Sequence, residues 1–177
     1  NKMIRPTTIP QTLDELQIEH AIAREALRLA LIHHKSLATG LKGVQQERTI
    51  SDVFEQQTSG RTLIDMRKLN LIVGSGGILS HAPRRIQSML MMVDAYEPVG
   101  CTMLSVDSIF MMPHLGVLST IDEKAATDVF VRDCMIYLGT CVAPIGQGKD
   151  GDTCADYAIT FADGRTVKDR LFFGDLR

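Results

Sequence analysis

The sequence predicts an α/β fold with a mainly parallel sheet, followed by a small antiparallel β unit. Two observations predict the first part. A buried strand at Leu71–Val73 runs through a glycine turn into a helix, and a second strand at Cys101–Val106 is again followed by a helix. A third observation predicts the antiparallel unit, because Asp163-Gly164 separates two strand-like runs near the C-terminus and this dipeptide is a strong hairpin signal.

Composition is typical of a folded protein and excludes several other classes. Of the 177 residues, 45% are hydrophobic, and the formal net charge is -2. Such a hydrophobic fraction favours a packed core over disorder, and the balanced charge gives no sign of nucleic-acid binding. No apolar run reaches the roughly 18 residues that a membrane span needs, and no signal peptide is evident. We therefore expect a cytoplasmic protein with neither a nucleic-acid nor a membrane partner.

The cysteines predict neither a disulfide framework nor a metal site. Cys101, Cys134, Cys141 and Cys154 form no C-x-x-C pair and do not have zinc-finger spacing. Reduced thiols are therefore expected, as in other cytosolic proteins. The chain begins at Asn1 without an initiator methionine, which suggests a piece of a longer protein.

The first predicted element is a long amphipathic helix over residues 12–37. Thr12 and Glu15 have the spacing of a capping box, in which each side chain bonds the backbone N–H of the other residue. One face is apolar and is expected to pack on the core; it carries Leu16, Ala23, Leu27, Ala30 and Leu31. Residues 38–60 are irregular, with either a short helix start or a loop at Thr49–Phe54.

The central motif is the strand, glycine turn and helix start at residues 71–85. Glycines allow a backbone conformation that other residues avoid, and we expect such a conformation at Gly77. Ser80 is expected to cap the following helix and Pro83 to occupy its first turn. A helix start behind a glycine loop suits a phosphate or a ribose. A short glycine motif is equally compatible with a tight turn that binds nothing.

The helix predicted from Pro83 to Ala95 is rich in methionine. Met89, Met91 and Met92 widen an apolar face that recurs every three or four residues. Methionine-rich faces sometimes form adaptable binding surfaces. A core position on the sheet is the favoured interpretation.

Asp107 follows the second strand directly and is a candidate ligand contact. The carboxyl end of a strand in an α/β sheet is where ligands usually bind. A simple helix cap is the alternative role, and Ser108 is a competing candidate. Helices are predicted after it at Pro113–Ser119 and Asp122–Val131.

The C-terminal part has strand-like alternation instead of helical spacing. Met135–Val142 reads as a buried strand, and a glycine-rich and charged loop follows it. Tyr157, Ile159 and Phe161 alternate with smaller residues before the Asp163-Gly164 turn, and Thr166–Phe172 forms the returning strand.

Several of these stretches resemble the glutamate mutase accessory family, called MutL or GlmL, which is distinct from the mismatch-repair protein that shares the first name. They are LIVGSGGILSHAPRR, VDSIFMMPHLGVLST, the helix AIAREALRLALIHH, and YLGTCVAPIGQGKDG. The family is related to reactivating factors of adenosylcobalamin-dependent mutases and is similar to the actin, heat-shock chaperone and sugar-kinase ATPases. The resemblance implies an actin-like (ribonuclease H-like) lobe at residues 1–133, followed by an incomplete β segment at 134–177.

The resemblance also implies roles for the glycine turn. In actin-like ATPases the strand, the paired glycines and the next helix lie against the ribose and adenine of the nucleotide. By this likeness Gly76 and Gly77 would approach ATP or ADP, and Gly74 and Ser75 would shape the turn. Ser80 stands where chaperone relatives often carry an arginine that packs on adenine, so this chain departs from the family pattern at that contact.

The catalytic residues are not identified by this resemblance. Arg84 or Arg85 could take the place of the missing adenine contact, or lie on a solvated helix face. The superfamily also needs a phosphate loop of the form D-x-G-[ST], and the nearest strings, DGDT at 150–153 and DGRT at 163–166, lack that order. The Mg²⁺-bound phosphates would therefore be held by an upstream lobe of the full-length protein.

The resemblance implies a fragment of an ATP-dependent reactivating protein for an adenosylcobalamin-dependent mutase, either glutamate mutase or an aminomutase. The cobalamin would be bound by the mutase subunit. Two alternatives stay open. One is a non-catalytic module for partner docking or for homo-oligomerisation, acting through the methionine-rich helix or the strand Thr166–Phe172. The other is a fragment of an actin-like small-molecule kinase.

Overall fold

The computed structural model describes residues 4, 5, 7–38 and 64–176. The predicted loop or short helix at Thr49–Phe54 lies outside these residues. The helices are α1 (Leu13–Leu37), α2 (Gly77–Ser80), α3 (Arg85–Tyr96), α4 (Met112–Leu118) and α5 (Glu123–Val129). The strands are β1 (Leu71–Gly74), β2 (Gly100–Asp107), β3 (Met135–Ala143), β4 (Thr153–Thr160) and β5 (Thr166–Phe172).

The first helix begins where its capping box predicts. Thr12 Oγ1 accepts a hydrogen bond from the Glu15 N–H at 3.2 Å, and Glu15 Oε2 accepts one from the Thr12 N–H at 3.3 Å. These bonds satisfy donors that the first turn of a helix leaves free. Ala23 is buried on the inner face, and Leu27 packs beside it against the core. The predicted helix and its inner face are therefore confirmed, except that Ala30 is exposed.

The main sheet has three strands in the order β1-β2-β3. β1 and β2 are parallel, with Leu71 opposite Met103 and Gly74 opposite Val106. β2 and β3 are antiparallel, so the sheet is mixed and the expectation of a mainly parallel sheet is wrong. Alternating side chains are common to both strand directions, and the pattern at 135–143 therefore predicts a strand without predicting its direction. No residue of β3 is buried, so the expectation of a buried strand at Met135–Val142 is also wrong.

The core lies between this sheet and α3. Met92, Leu104 and Val106 have no exposed surface, and Met91 is 2% exposed. α1 packs on α3 and contributes Ala23 to the same cluster. Since Met91 and Met92 are core residues, the core interpretation of the methionine-rich helix is confirmed, and these two side chains are not available to a partner.

A second small cluster joins α4, α5 and the turn that precedes β3. Leu115, Ala126 and Cys134 are its buried members. Asp122 caps α5 by accepting a hydrogen bond from the Ala125 N–H at 2.9 Å. The helix predicted at Asp122–Val131 is shorter than expected, because one π-helical turn at Phe130–Cys134 replaces its end and leads into β3.

The C-terminal hairpin is present as a separate two-stranded antiparallel sheet of β4 and β5. Its connection is longer than the predicted two-residue turn. The Phe161 N–H donates to the Arg165 carbonyl at 2.8 Å, and Gly164 has φ of +85°. This is the pattern of a three-residue loop whose glycine takes the left-handed position. β3 belongs to the main sheet, and the division of the chain at residues 133 and 134 stays a prediction.

Replacing Met92 with alanine should destabilise the fold by about 2–5 kcal/mol, because the side chain is fully buried and its removal leaves a cavity. Ile121→Ala is the control, since Ile121 is 84% exposed and its truncation should change the free energy of unfolding by less than about 0.5 kcal/mol. Denaturant titration followed by circular dichroism measures both. Equal effects of the two substitutions would contradict this description of the core.

Candidate functional site

The predicted site residues meet where two parallel strands end. Gly74 is the last residue of β1 and Asp107 the last residue of β2. Gly74 pairs with Val106, so the loop after β1 begins beside the carboxyl end of β2. Parallel neighbours bring their carboxyl ends to one edge of the sheet, the edge where α/β proteins usually bind ligands. The glycine loop and Asp107 therefore lie together at one edge of the sheet.

The three glycines of the loop, Gly74, Gly76 and Gly77, have different structural roles. A Cβ on Gly74 would lie 2.9 Å from both Leu79 Cδ1 and Met92 Sδ, so a side chain there would collide with the core. Gly76 has φ of +97°, which side chains disfavour. Gly77 has an ordinary backbone conformation, so the expectation of an unusual one at this position is wrong. The unusual residue is its neighbour Gly76.

Gly77 is distinguished by its openness. It is exposed, and apart from its chain neighbours and the backbone of its own helix no described heavy atom lies within 4 Å of the position that a Cβ would take. It is also the first residue of α2, which is a single helical turn. A group outside the chain can therefore approach the backbone here without displacing a side chain.

Asp107 is fully buried and its carboxylate is occupied by groups of the chain itself. Oδ2 accepts a hydrogen bond from the Met112 N–H at 2.7 Å, and the Ile109 N–H lies 3.4 Å from Oδ1. Ser75 Oγ lies 3.5 Å from Oδ2. The carboxylate thus holds the loop before α4 and faces the glycine loop from beneath, which agrees with its alternative role as a cap.

Ser80 does not cap the following helix, contrary to expectation. It is the last residue of α2 and is 1% exposed, and its hydroxyl donates to the Asp107 carbonyl at 2.5 Å. The next helix begins at Arg85, after Pro83, with Arg84 as its capping residue. Ser80 cannot cap α3, because the non-helical residues 81–84 lie between them, and its hydroxyl instead ties α2 to the end of β2.

The two arginines considered for an adenine contact differ in their surroundings. Arg85 donates from Nη1 to the Ser80 carbonyl at 2.7 Å, which holds its guanidinium against α2. Arg84 is exposed, and its backbone N–H donates to Gln87 Oε1 at 2.9 Å. Arg85 is thus engaged in the turn, whereas the Arg84 side chain lies at the surface.

Ser108, the competing candidate beside Asp107, contacts the π-helical turn that precedes β3. Its backbone N–H and its hydroxyl both donate to the Cys134 carbonyl, each at 2.9 Å. Burial raises the pKa of the Cys134 thiol, and the nearby charges of Asp107 and Asp133 raise that pKa further. A buried thiol of raised pKa is a poor nucleophile, so Cys134 is a structural residue.

A groove of about 890 Å³ adjoins the glycine loop. Its lining comes from the lead-in before α1, the first two turns of α1, and the segment from α2 to Pro83. It includes Ile9, Leu13, Leu16, His20, Gly77 and His81. The position of residues 7–11 was not predicted from the sequence, because this polar, proline-bearing segment before α1 has no periodicity that predicts where it packs.

Comparison with known proteins bears on this geometry. Residues 1–134 match the family model described as MutL protein. The chain belongs to the MutL family. This is the glutamate mutase accessory protein family, so membership indicates an accessory role for a glutamate mutase, a cobalamin-dependent enzyme, and association with it. Searches of curated proteins and of solved structures gave no match.

The family match covers the candidate site. The family match ends at Cys134, one residue before β3, and it includes the glycine loop, Asp107 and the whole of the groove lining. Among the described residues, no helix has the length and apolar character needed to cross a membrane.

Gly76→Ala should lower the free energy of unfolding by about 1–3 kcal/mol, because alanine is strained at the positive φ of this position. Gly77→Ala is the matched control one residue away, where an ordinary backbone and open space should keep the change within about 0.5 kcal/mol. Thermal and denaturant unfolding compare the two variants. A larger loss at Gly77 than at Gly76 would contradict the assigned backbone conformations.

Proposed function

We propose that this MutL-family chain is part of an ATP-dependent accessory protein that reactivates an adenosylcobalamin-dependent mutase. In this proposal the chain forms the adenosine side of an actin-like nucleotide site, and the family membership of residues 1–134 supports the link to a glutamate mutase. The cobalamin is bound by the mutase partner. The chain described here contributes contacts to the nucleoside.

The observation that carries the proposal is the open backbone at Gly77. This residue is exposed at the carboxyl edge of the parallel pair β1 and β2, where nucleotides bind in many α/β proteins. Its neighbour Gly76 supplies the positive φ that turns the chain there. Ser75 and Asp107 steady the loop from beneath, since their side chains approach within 3.5 Å.

The adjoining groove suits a nucleoside in size and chemistry. Its volume of about 890 Å³ lies within the range of small-molecule sites. Apolar side chains such as Ile9, Leu16 and Ile78 offer contacts to a flat ring. The imidazoles of His20 and His81 offer hydrogen-bonding groups at the same surface. A base in the groove with its ribose near Gly77 accounts for both features.

Phosphate and Mg²⁺ binding are assigned to the remainder of the complete protein. When bound, ATP supplies the free energy of phosphoryl transfer, which depends on metal-bound phosphates and a positioned water. Asp107 is the acidic residue at this strand edge, and its carboxylate already accepts backbone hydrogen bonds. The groups that would coordinate the metal are therefore expected from another lobe, as the family resemblance implies.

A second candidate function is mutase docking through the C-terminal hairpin. β4 and β5 pair only with each other within the described residues, which leaves an unpaired edge on each strand. An isolated two-stranded sheet is marginally stable, and an open edge can accept a strand from another chain. Ile159 and Val167 are both nearly half exposed on this hairpin. The docking and nucleotide functions are compatible with each other.

Gly77→Val in the complete protein should weaken nucleotide binding at least tenfold, because the branched side chain would fill the space that the ribose approaches. Gly116→Val is the matched control, since Gly116 is also open and lies in α4, away from the groove. Titration with a fluorescent ATP analogue measures affinity. Recovery of activity by an inactivated glutamate mutase in the presence of ATP measures function, and only the Gly77 variant should lose it.

The isolated chain should bind ATP with a dissociation constant of about 1 mM or weaker, because contacts to the phosphates are missing. Calorimetry with the 177-residue chain gives this value directly. Micromolar binding would refute the assignment of the phosphate site to another lobe. Unchanged affinity in Gly77→Val, with Gly116→Val equal to wild type, would instead remove Gly77 from the nucleotide site.

A further inference from the structure

The helix α1 has two apolar faces on opposite sides. The inner face, which includes Ala23 and Leu27, packs toward α3 and the core. The outer face carries Ile18, Ile22, Leu29 and Ile32, whose exposed fractions are 61%, 52%, 50% and 51%. Four half-exposed branched aliphatic side chains along one line of a helix form a large apolar surface, and such surfaces usually mark an interaction site.

The spacing of this outer face, here called the outer seam, is that of a helix-pairing surface. Together with Glu25, the four residues stand at intervals of four, three, four and three. This alternation keeps side chains in a narrow line along a helix, as at the contact between two paired helices. The 25 residues of α1 give a helix of about 37 Å at 1.5 Å per residue, which is long enough for several layers of contact.

The seam is nearly symmetric about its centre. Ile18 and Ile32 each lie seven residues from Glu25, and Ile22 and Leu29 lie three and four residues from it. When a second copy of the helix is laid antiparallel, the isoleucines of one N-terminal half meet the leucine and isoleucine of the other C-terminal half. A two-fold axis that passes between Glu25 and Arg28, close to this centre, therefore buries the seam on both copies, as a symmetric dimer requires. An axis at Glu25 itself would set the two Glu25 carboxylates face to face.

The charges at the centre select the same arrangement. Glu25 and Arg28 form a bidentate ion pair one helical turn apart, at 2.8 and 2.7 Å, and about half of each side chain is exposed. In an antiparallel pair about an axis between Glu25 and Arg28, Glu25 of each copy lies level with Arg28 of the other. In a parallel pair in register, like charges would face each other, which is unfavourable.

We propose that the outer seam of α1 is a self-association surface, and that its occupant is the same seam of a second copy in antiparallel orientation. The proposal goes beyond the nucleotide and mutase functions and does not depend on them. It differs from the two self-association surfaces that the sequence suggested. Met91 and Met92 of α3 are buried and cannot contact a second copy, and β5 belongs to the separate hairpin sheet. An interface of a single helix pair is small, so a dissociation constant of about 1–100 μM is expected.

Sedimentation of the 177-residue chain over a range from about 1 to 500 μM tests the proposal, since this range brackets the expected dissociation constant. Wild type should convert from monomer to dimer. Ile22→Glu should raise the dissociation constant at least tenfold, because two charges would be buried at the seam. Ile121→Glu is the matched control at an exposed isoleucine in the turn before α5, and it should leave association unchanged.

A charge exchange tests the centre of the seam independently of apolar burial. Glu25→Arg places two cations on each copy and should weaken association at least tenfold. Adding Arg28→Glu restores one cation and one anion per copy and should recover most of the wild-type affinity. Circular dichroism of each variant checks that α1 is retained. A folded Glu25→Arg variant that associates as wild type does would overturn the assignment.

The orientation is read from the distance between two spin labels, one on each copy. A label at Gln17, on exposed surface beside the seam, should lie about 25–30 Å from its equivalent in an antiparallel dimer and about 10 Å in a parallel one. The label is attached to Gln17→Cys in a background where Cys101, Cys141 and Cys154 are serine, because these three thiols are at least partly exposed. A short distance would refute the antiparallel arrangement. A monomer at every concentration, or a dimer unaffected by Ile22→Glu, would overturn the proposal itself.

Discussion

The arrangement of this chain depends on the close contact between Gly74 and the core beneath it. Because β1 ends in a glycine, the side chains of Leu79 and Met92 can pack directly against its backbone. A Cβ on Gly74 would lie only 2.9 Å from each of them. This contact seats α2 and α3 directly over the parallel pair β1 and β2. The chain must then turn sharply, and Gly76 turns it through a positive φ. The open backbone at Gly77 is thus a consequence of core packing one turn earlier.

The same constraint explains the positions of the polar groups at the site. With α2 drawn down onto the sheet, the Ser80 hydroxyl reaches the carbonyl of Asp107, and the Asp107 carboxylate reaches the backbone before α4. Buried polar groups require such partners, and here they come from neighbouring loops. Asp107 and Ser80 therefore give the strand edge its rigidity, and the surface that a ligand can reach is formed by glycine backbone and the groove.

Much of this could be predicted from the sequence, and the misses have physical reasons. Three local signals predicted three elements correctly. The capping box of Thr12 and Glu15 predicted the start of α1, the apolar run before Gly74 predicted β1, and the alternation around Asp163-Gly164 predicted the hairpin. Strand direction is a property of the chain path, so the antiparallel β3 could not be inferred from alternation at 135–143. The three closely spaced glycines Gly74, Gly76 and Gly77 indicate a tight turn, but the sequence does not show that Gly76 is the one with positive φ. The groove was missed because it is assembled from segments about 60 residues apart in sequence.

The first turns of α1 link the two surfaces considered above. Leu16 and His20 line the groove on one side of the helix, and Ile18 and Ile22 lie on the opposite side of the same turns. α1 is held to α3 by Ala23 and by an ion pair between Arg24 and Asp94 at 2.7 Å, which is half exposed and therefore contributes little. A second copy on the outer seam would restrain α1 from outside and thereby fix one wall of the groove. Because a helix moves as a rigid element, occupancy of either surface is expected to affect the other through the seating of α1 on α3.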